Sequence, residues 1–176
     1  MFTDQTKAFE AFLDCALLWN KKMKKKLFIL LIFFWAIPSG FAQLKTCSFE
    51  EAEQLAVKDP KPFVIFIYTS WCKFCKMMEN STFKNVEISN KLNDSFYFIA
   101  LDAENKKDIR FNKHTFQYKP TGTNTGIHEL ATALASSDNQ VTYPTLTILG
   151  PDYSILFQQA SYLKAQDLLM VLEKMK

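Results

Sequence analysis

Two of the four cysteines in this 176-residue chain stand three positions apart, in Trp71-Cys72-Lys73-Phe74-Cys75-Lys76. Where that segment sits matters more than its spacing. It follows Phe63-Val64-Ile65-Phe66-Ile67-Tyr68, a continuous apolar, β-rich run of the kind covered on both faces of a sheet. It opens a helical stretch from Cys72 to about Phe83. Free N–H groups at a helix start carry partial positive charge and favour an anion. A thiolate there has a lowered pKa, and the thiolate is the species that attacks sulfur. Cys72 therefore reads as the exposed nucleophile. Cys75, one turn inward on the same face, is placed to attack the mixed disulfide and release the substrate. Lys73 adds positive charge beside the pair, and Trp71 supplies an apolar rim.

Two cysteines at this spacing also serve haem, zinc and structural roles. Covalent haem needs a histidine directly after the second cysteine, where Lys76 stands. Structural zinc needs two more ligands; Cys47, His114 and His128 are the candidates, without a second paired motif. A disulfide closing so small a loop constrains the unfolded chain little, which makes it a poor staple and a better redox switch. The four glycines, at 40, 122, 126 and 150, permit neither GxGxxG nor GxxxxGK[ST], so no phosphate loop of either kind exists.

A second element is Tyr143-Pro144-Thr145. Proline at the start of a strand is unusual, and a cis peptide bond in a tight turn is one explanation, a trans edge proline the other. A cis turn would present the Tyr143 backbone beside the cysteines as an edge for an extended substrate segment.

The elements that position these residues follow from periodicity. Ser48 with Glu51 fits a capping box for a helix over 48–58, stopped by Asp59-Pro60-Lys61-Pro62. A helix over 85–93 leads to a second buried strand, 96–102, which together argue for a parallel βαβ core. Residues 105–119 read as a small hairpin insertion, 126–135 as a helix and 141–149 as a strand. Gly150-Pro151-Asp152 is a turn, 154–160 pairs back antiparallel, and 162–175 closes with an amphipathic helix.

Ahead of this lies a leader. Lys21, Lys22, Lys24, Lys25 and Lys26 precede the uncharged run from Leu27 to Ile37, and Gly40-Phe41-Ala42 offers small residues at a cleavage point. That is the anatomy of a secretory signal peptide over 23–42, its apolar run too short for a spanning helix. Residues 1–22 read as an upstream extension before a natural start at Met23. Of the 21 basic and 18 acidic residues, residues 1–42 hold six and three, so 43–176 carries equal numbers of each. A neutral domain lacks the electrostatic footprint of a nucleic-acid binder.

Strand, Trp-Cys-x-x-Cys-Lys on a helix, strand, Pro-Thr strand and last helix: over roughly 48–176 the chain resembles the thioredoxin family, and within it the exported bacterial thioredoxin-like proteins. The resemblance implies an α/β thioredoxin-like fold over 43–176, with a central mixed sheet flanked by helices and an insertion before the cis-proline strand. It implies Cys72 as nucleophile, Cys75 as resolving thiol and Pro144 as the cis-proline facing them, with Trp71 and Tyr143 at the substrate edge. It implies a protein-disulfide oxidoreductase without cofactor or metal. Its expected partners are cysteine-containing exported proteins and a redox donor, with no nucleic acid, and with membrane contact only through an uncleaved leader. It is expected to act as a monomer in the periplasm or outside the cell. A binding module of the same fold, with a structural or zinc-bound cysteine pair, is the alternative.

Three departures stand out. Thioredoxins carry a buried aspartate six residues before the first cysteine, assigned to proton transfer with the resolving thiol; Phe66 stands there, leaving Glu79 or water. The inner pair Lys73-Phe74, which tunes the redox behaviour, is neither the Gly-Pro of reducing thioredoxins nor the Pro-His of strong oxidants. A lean toward reductase or isomerase follows, because little besides the helix end and Lys73 lowers the Cys72 pKa. Finally, 42 positions separate Asp102 from Pro144, so residues 103–140 form an insertion.

Overall fold

The computed structural model describes residues 43–137 and 140–175. The expected upstream extension and signal peptide, 1–22 and 23–42, lie outside the described residues. At the centre is a four-stranded mixed sheet in the order β10-β9-β1-β2, formed by β1 (Phe63–Tyr68), β2 (Tyr97–Asp102), β9 (Thr145–Leu149) and β10 (Ile155–Gln159). β1 and β2 run parallel, Phe63 opposite Tyr97 through Tyr68 opposite Asp102. β9 runs antiparallel to β1, Phe63 opposite Leu149 through Ile67 opposite Thr145.

Alternation along these strands divides the core in two. Phe63, Ile65, Ile67, Tyr97, Ile99 and Leu101 face one way, against Phe49 and Ala52 of α1 (Phe49–Ala56) and Leu130 and Ala131 of α4 (Glu129–Ala135). Val64, Phe66, Phe98, Leu146 and Ile148 face the other way. There they meet Ile88 and Leu92 of α3 (Val86–Ser95) and Leu168 and Leu172 of α5 (Ala165–Lys174). β1 is apolar throughout because both of its faces are covered, as in other buried strands. Ser48 accepts from the Glu51 N–H while Glu51 accepts from the Ser48 N–H, the reciprocal box that starts α1. Asn85 caps α3 by accepting from the N–H groups of Glu87 and Ile88.

Several boundaries differ from the sequence reading, each for a local reason. The stretch after Cys72 begins as α2 (Lys73–Met77) but continues as a π-helical turn over Met78–Thr82. In that turn the Asn80 and Ser81 side chains donate to the Lys76 and Met77 carbonyls, competing with the regular ladder. The insertion holds two hairpins rather than one. β3 (Ile109–Phe111) pairs with β4 (His114–Phe116) through a turn in which Asn112 and Lys113 both have positive φ. β5 (Tyr118–Pro120) pairs with β6 (Gly126–His128), so the helix expected from 126 starts only at Glu129. A Cβ on Gly126 would collide with the Tyr118 ring and the Lys119 carbonyl, so this hairpin requires glycine. The strand expected over 141–149 is broken. Gln140–Val141 (β8) pairs with Ser136–Ser137 (β7), and the sheet strand begins at Thr145, after proline.

Candidate active site

Cys72 is the N-cap of α2: its sulfur accepts from the Cys75 N–H at 3.1 Å. Cys72 and Cys75 are joined in a disulfide, with Cα atoms 5.3 Å apart. Thus the two sulfurs sit where β1 ends and unpaired amides begin, at the C-terminal end of a parallel pair. The Cys72 N–H donates to the Thr69 carbonyl, which fixes the connecting loop. Cys75 is fully buried and Cys72 keeps only 6% of its surface, so the sulfur expected at the surface is reached through a narrow window. The rim is made by Trp71, Phe74 and Met77, all about half or more exposed, an apolar ring around a small polarisable target. Lys73 is exposed beside it.

From the opposite side comes the loop before β9. The Tyr143–Pro144 peptide is cis, and Pro144 is buried. The Tyr143 ring meets Trp71 edge-on, centroids 6.0 Å apart. Its hydroxyl is pushed up to about 12, first by burial and then by the charges of Glu104 and Asp102. Trp71 itself donates its indole N–H to Glu104 at 3.1 Å. Glu104 was not among the expected site residues. The available signal was topological: chain leaving the end of a parallel strand next to the active strand lands beside the same site.

Phe66 lies on the Cys75 side of the sheet, 1% exposed, its ring 4.9 Å from Phe83 and stacked on Tyr68 at 5.5 Å. An open cleft of about 610 Å³ reaches this region, lined among others by Phe66, Tyr68, Phe83 and Glu79. Glu79 pairs with Lys76 at 2.7 Å, and the Lys76 ammonium lies 6.0 Å from the Tyr68 ring centre. Tyr68 is shifted upward by burial, then by Asp102 and Glu79.

The remaining candidates scatter. His128 is fully buried on the other face. Its Nδ1 accepts from the Leu130 N–H and its Nε2 faces the Lys107 carbonyl at 3.2 Å, which assigns the proton to Nε2 and engages both nitrogens. His114 stacks edge-on against Phe116 in the first hairpin. Cys47 is half-buried, its thiol pushed up by burial and then by Glu51. The three groups weighed as zinc ligands are therefore not gathered around the cysteine pair. No group of three or more His, Cys, Asp or Glu able to share an ion occurs among the described residues.

Comparison with known proteins gives the family. The model Thioredox_DsbH, described as "Protein of unknown function, DUF255", matches residues 46–172. The chain belongs to this family. A structure described as "DsbH Oxidoreductase" superposes on this chain with a TM-score of 0.54 at 18% identity, covering 79% of this chain and 90% of that one. A thioredoxin from Thermus thermophilus does so at 0.54 and 16% identity, covering 75% and 86%. At such identities the likeness shows the thioredoxin fold. Rattus norvegicus "Spermatogenesis-associated protein 20" is 37% identical over 60 residues, 34% of this chain. That match spans 8% of the relative's own length. The chain thus combines the thioredoxin fold, this family and a Cys72–Cys75 disulfide at the start of α2.

Proposed function

We propose that this chain is an exported protein-disulfide oxidoreductase that cycles Cys72 and Cys75 between dithiol and disulfide. The observation that carries the reading is the position of the disulfide, capping α2 directly after the exposed Trp71, whose indole meets Tyr143 of the cis Tyr143–Pro144 peptide edge-on. In the reducing direction the Cys72 thiolate attacks one sulfur of a substrate disulfide. A Cys72–substrate disulfide forms, and the other substrate sulfur leaves as a thiolate and takes a proton. The Cys75 thiolate then attacks the Cys72 sulfur, closing the internal disulfide and expelling the second substrate thiolate. Two electrons pass from the protein dithiol to the substrate, and a donor dithiol restores the protein by the same two exchanges. Trp71, Tyr143 and Pro144 form the substrate edge, while Lys73 and Phe74 set how readily Cys72 ionises.

Reduction or isomerisation is the favoured direction, because little besides Lys73 and the helix end lowers the Cys72 pKa, and strong oxidants need a more stabilised thiolate. Cysteine-bearing exported proteins are the substrates and a second redox protein the donor. The basic–apolar–small leader over 23–42 supports a periplasmic or extracellular place. With Phe66 in the place of a carboxylate, Glu79, which lines the same cleft as Phe66, is the candidate for the proton transfer.

The test is trapping. Cys75→Ser should leave substrates covalently held through Cys72 and abolish catalysed insulin reduction, while Cys72→Ser should trap nothing. Absence of both trapped partners and insulin reduction by the unaltered chain would refute the proposal.

A further inference from the structure

Tyr143 carries a hydroxyl that the exchange chemistry does not use. Its Oη is buried and has no hydrogen-bond partner among the described residues. That is unfavourable for a strong donor and calls for an explanation. With its ionisation pushed far above neutrality, the group is an O–H at physiological pH. The charge that acts on it most is Glu104, whose carboxylate accepts from the indole of Trp71. Glu104 is presented by a tight turn at the end of β2, its own N–H donating to Asp102 Oδ1 at 3.0 Å. The indole it holds is 65% exposed at the mouth of the disulfide and rests edge-on against the Tyr143 ring. One carboxylate thus holds an exposed indole, and that indole lies against the ring of a tyrosine whose buried hydroxyl has no acceptor among the described residues.

We propose that Glu104 is a positioning residue with two alternative partners, Trp71 in the free protein and the Tyr143 hydroxyl when a docking segment lifts the indole away. The proposal rests on the thiol-exchange reading above and deepens it. Displacing Trp71 gives up one hydrogen bond, and the charge-assisted bond from Tyr143 to Glu104 replaces it while satisfying a buried donor. The two arrangements are then close in free energy, and contacts made by the substrate decide between them. A protein segment broad enough to press on Trp71 gains from the exchange. A small disulfide that reaches the Cys72 window without touching the indole does not. Glu104 and Tyr143 therefore favour protein segments over small disulfides.

The experiment uses the full chain carrying Trp19→Phe and Trp35→Phe, which leaves Trp71 as the sole indole. Kinetics are measured with insulin and with 5,5′-dithiobis(2-nitrobenzoic acid), and the indole N–H resonance is followed by NMR. Tyr143→Phe should raise KM for insulin about threefold to tenfold, the range expected for one hydrogen bond. It should raise KM for insulin by a larger factor than it slows exchange with the small disulfide, and the free-state indole resonance should stay in place. Glu104→Ala should move the indole resonance and raise KM for insulin, after which Tyr143→Phe should add nothing. Glu104→Gln keeps an acceptor for either donor and should retain most of the wild-type KM. Additive effects of Tyr143→Phe and Glu104→Ala, or equal losses on both substrates, would overturn the switch while leaving thiol exchange intact. Failure of the parent chain to exchange with either disulfide would overturn both readings together.

Discussion

Replacing Phe66 with aspartate restores the carboxylate of the thioredoxin pattern, and the structure says what that does. The ring is 1% exposed, packed 4.9 Å from Phe83 and 5.5 Å from Tyr68, with Leu146 opposite on β9 and Ala100 opposite on β2. Removing a buried phenylalanine ring costs about 3–5 kcal/mol. An ionised carboxylate left there adds several more, against a total stability of roughly 5–15 kcal/mol for a domain. The new carboxyl can escape part of that cost by staying protonated, so its pKa in the folded chain rises above that in the unfolded chain. A raised folded-state pKa gives stability that is fully present below about pH 4, the unfolded value, and is lost as pH climbs through the folded one. Urea unfolding of Phe66→Asp should therefore show a lowered midpoint at pH 5 and a much lower one, or no folded baseline, at pH 8. Phe66→Leu serves as the apolar control and should keep the parent's pH dependence and its rate of substrate release, because no proton passes through position 66. An aspartate variant within about 1 kcal/mol of the parent at pH 8 would refute the close apolar packing of position 66 against Phe83 and Tyr68. A leucine variant that folds but releases substrate tenfold more slowly would refute the inference that release does not depend on this residue.

Other outcomes follow from the same geometry. Glu79→Gln, which leaves the Phe66 packing alone, should slow release of the mixed disulfide more than its formation, read by quenched-flow trapping on both steps. Lys113→Gly relieves a positive φ of 62° in the β3–β4 turn and should raise stability by about 0.5–1 kcal/mol, measured by denaturant unfolding. In alkali, Tyr143 should ionise near pH 12, later than exposed tyrosines. Its raised pKa makes stability fall between about pH 10 and 12, and Tyr143→Phe should flatten that decline in a pH series of thermal melts. Cys47, with its thiol pushed upward, should be alkylated by iodoacetamide at pH 7.5 more slowly than a free cysteine.

What the sequence made legible was whatever depends on neighbours along the chain. The apolar run before Trp71 required a strand covered on both sides. The Cys72 spacing with a helical continuation required a cap, and Ser48 with Glu51 required a helix start. The insertion was harder, because its order comes from partners far away. Arg110 and Asn112 donate their backbone N–H groups to Glu50 and Glu53 on α1, about sixty positions earlier. Those bonds stabilise a hairpin whose Asn-Lys turn lacks the glycine that signals such turns. The helix expected from 126 began late because Gly126 is needed beneath Tyr118, a contact no periodicity encodes.

The site shows the same division. Cys72, Cys75 and Pro144 announce themselves by residue type, since few other residues can do their work. Glu104 does not, because a carboxylate after a strand is ordinary until the fold lays it against Trp71, 33 positions away. Phe66 is the reverse case, a residue whose type is unremarkable in a strand and informative only because a carboxylate was expected there. Its consequence is physical. With Phe66 in that place, the proposed proton route falls to Glu79 and the cleft it lines, and the proposed control of docking to the outer rim, where the Trp71 indole meets both Glu104 and the Tyr143 ring. On that reading the polar control of exchange lies where the substrate arrives rather than at the resolving sulfur.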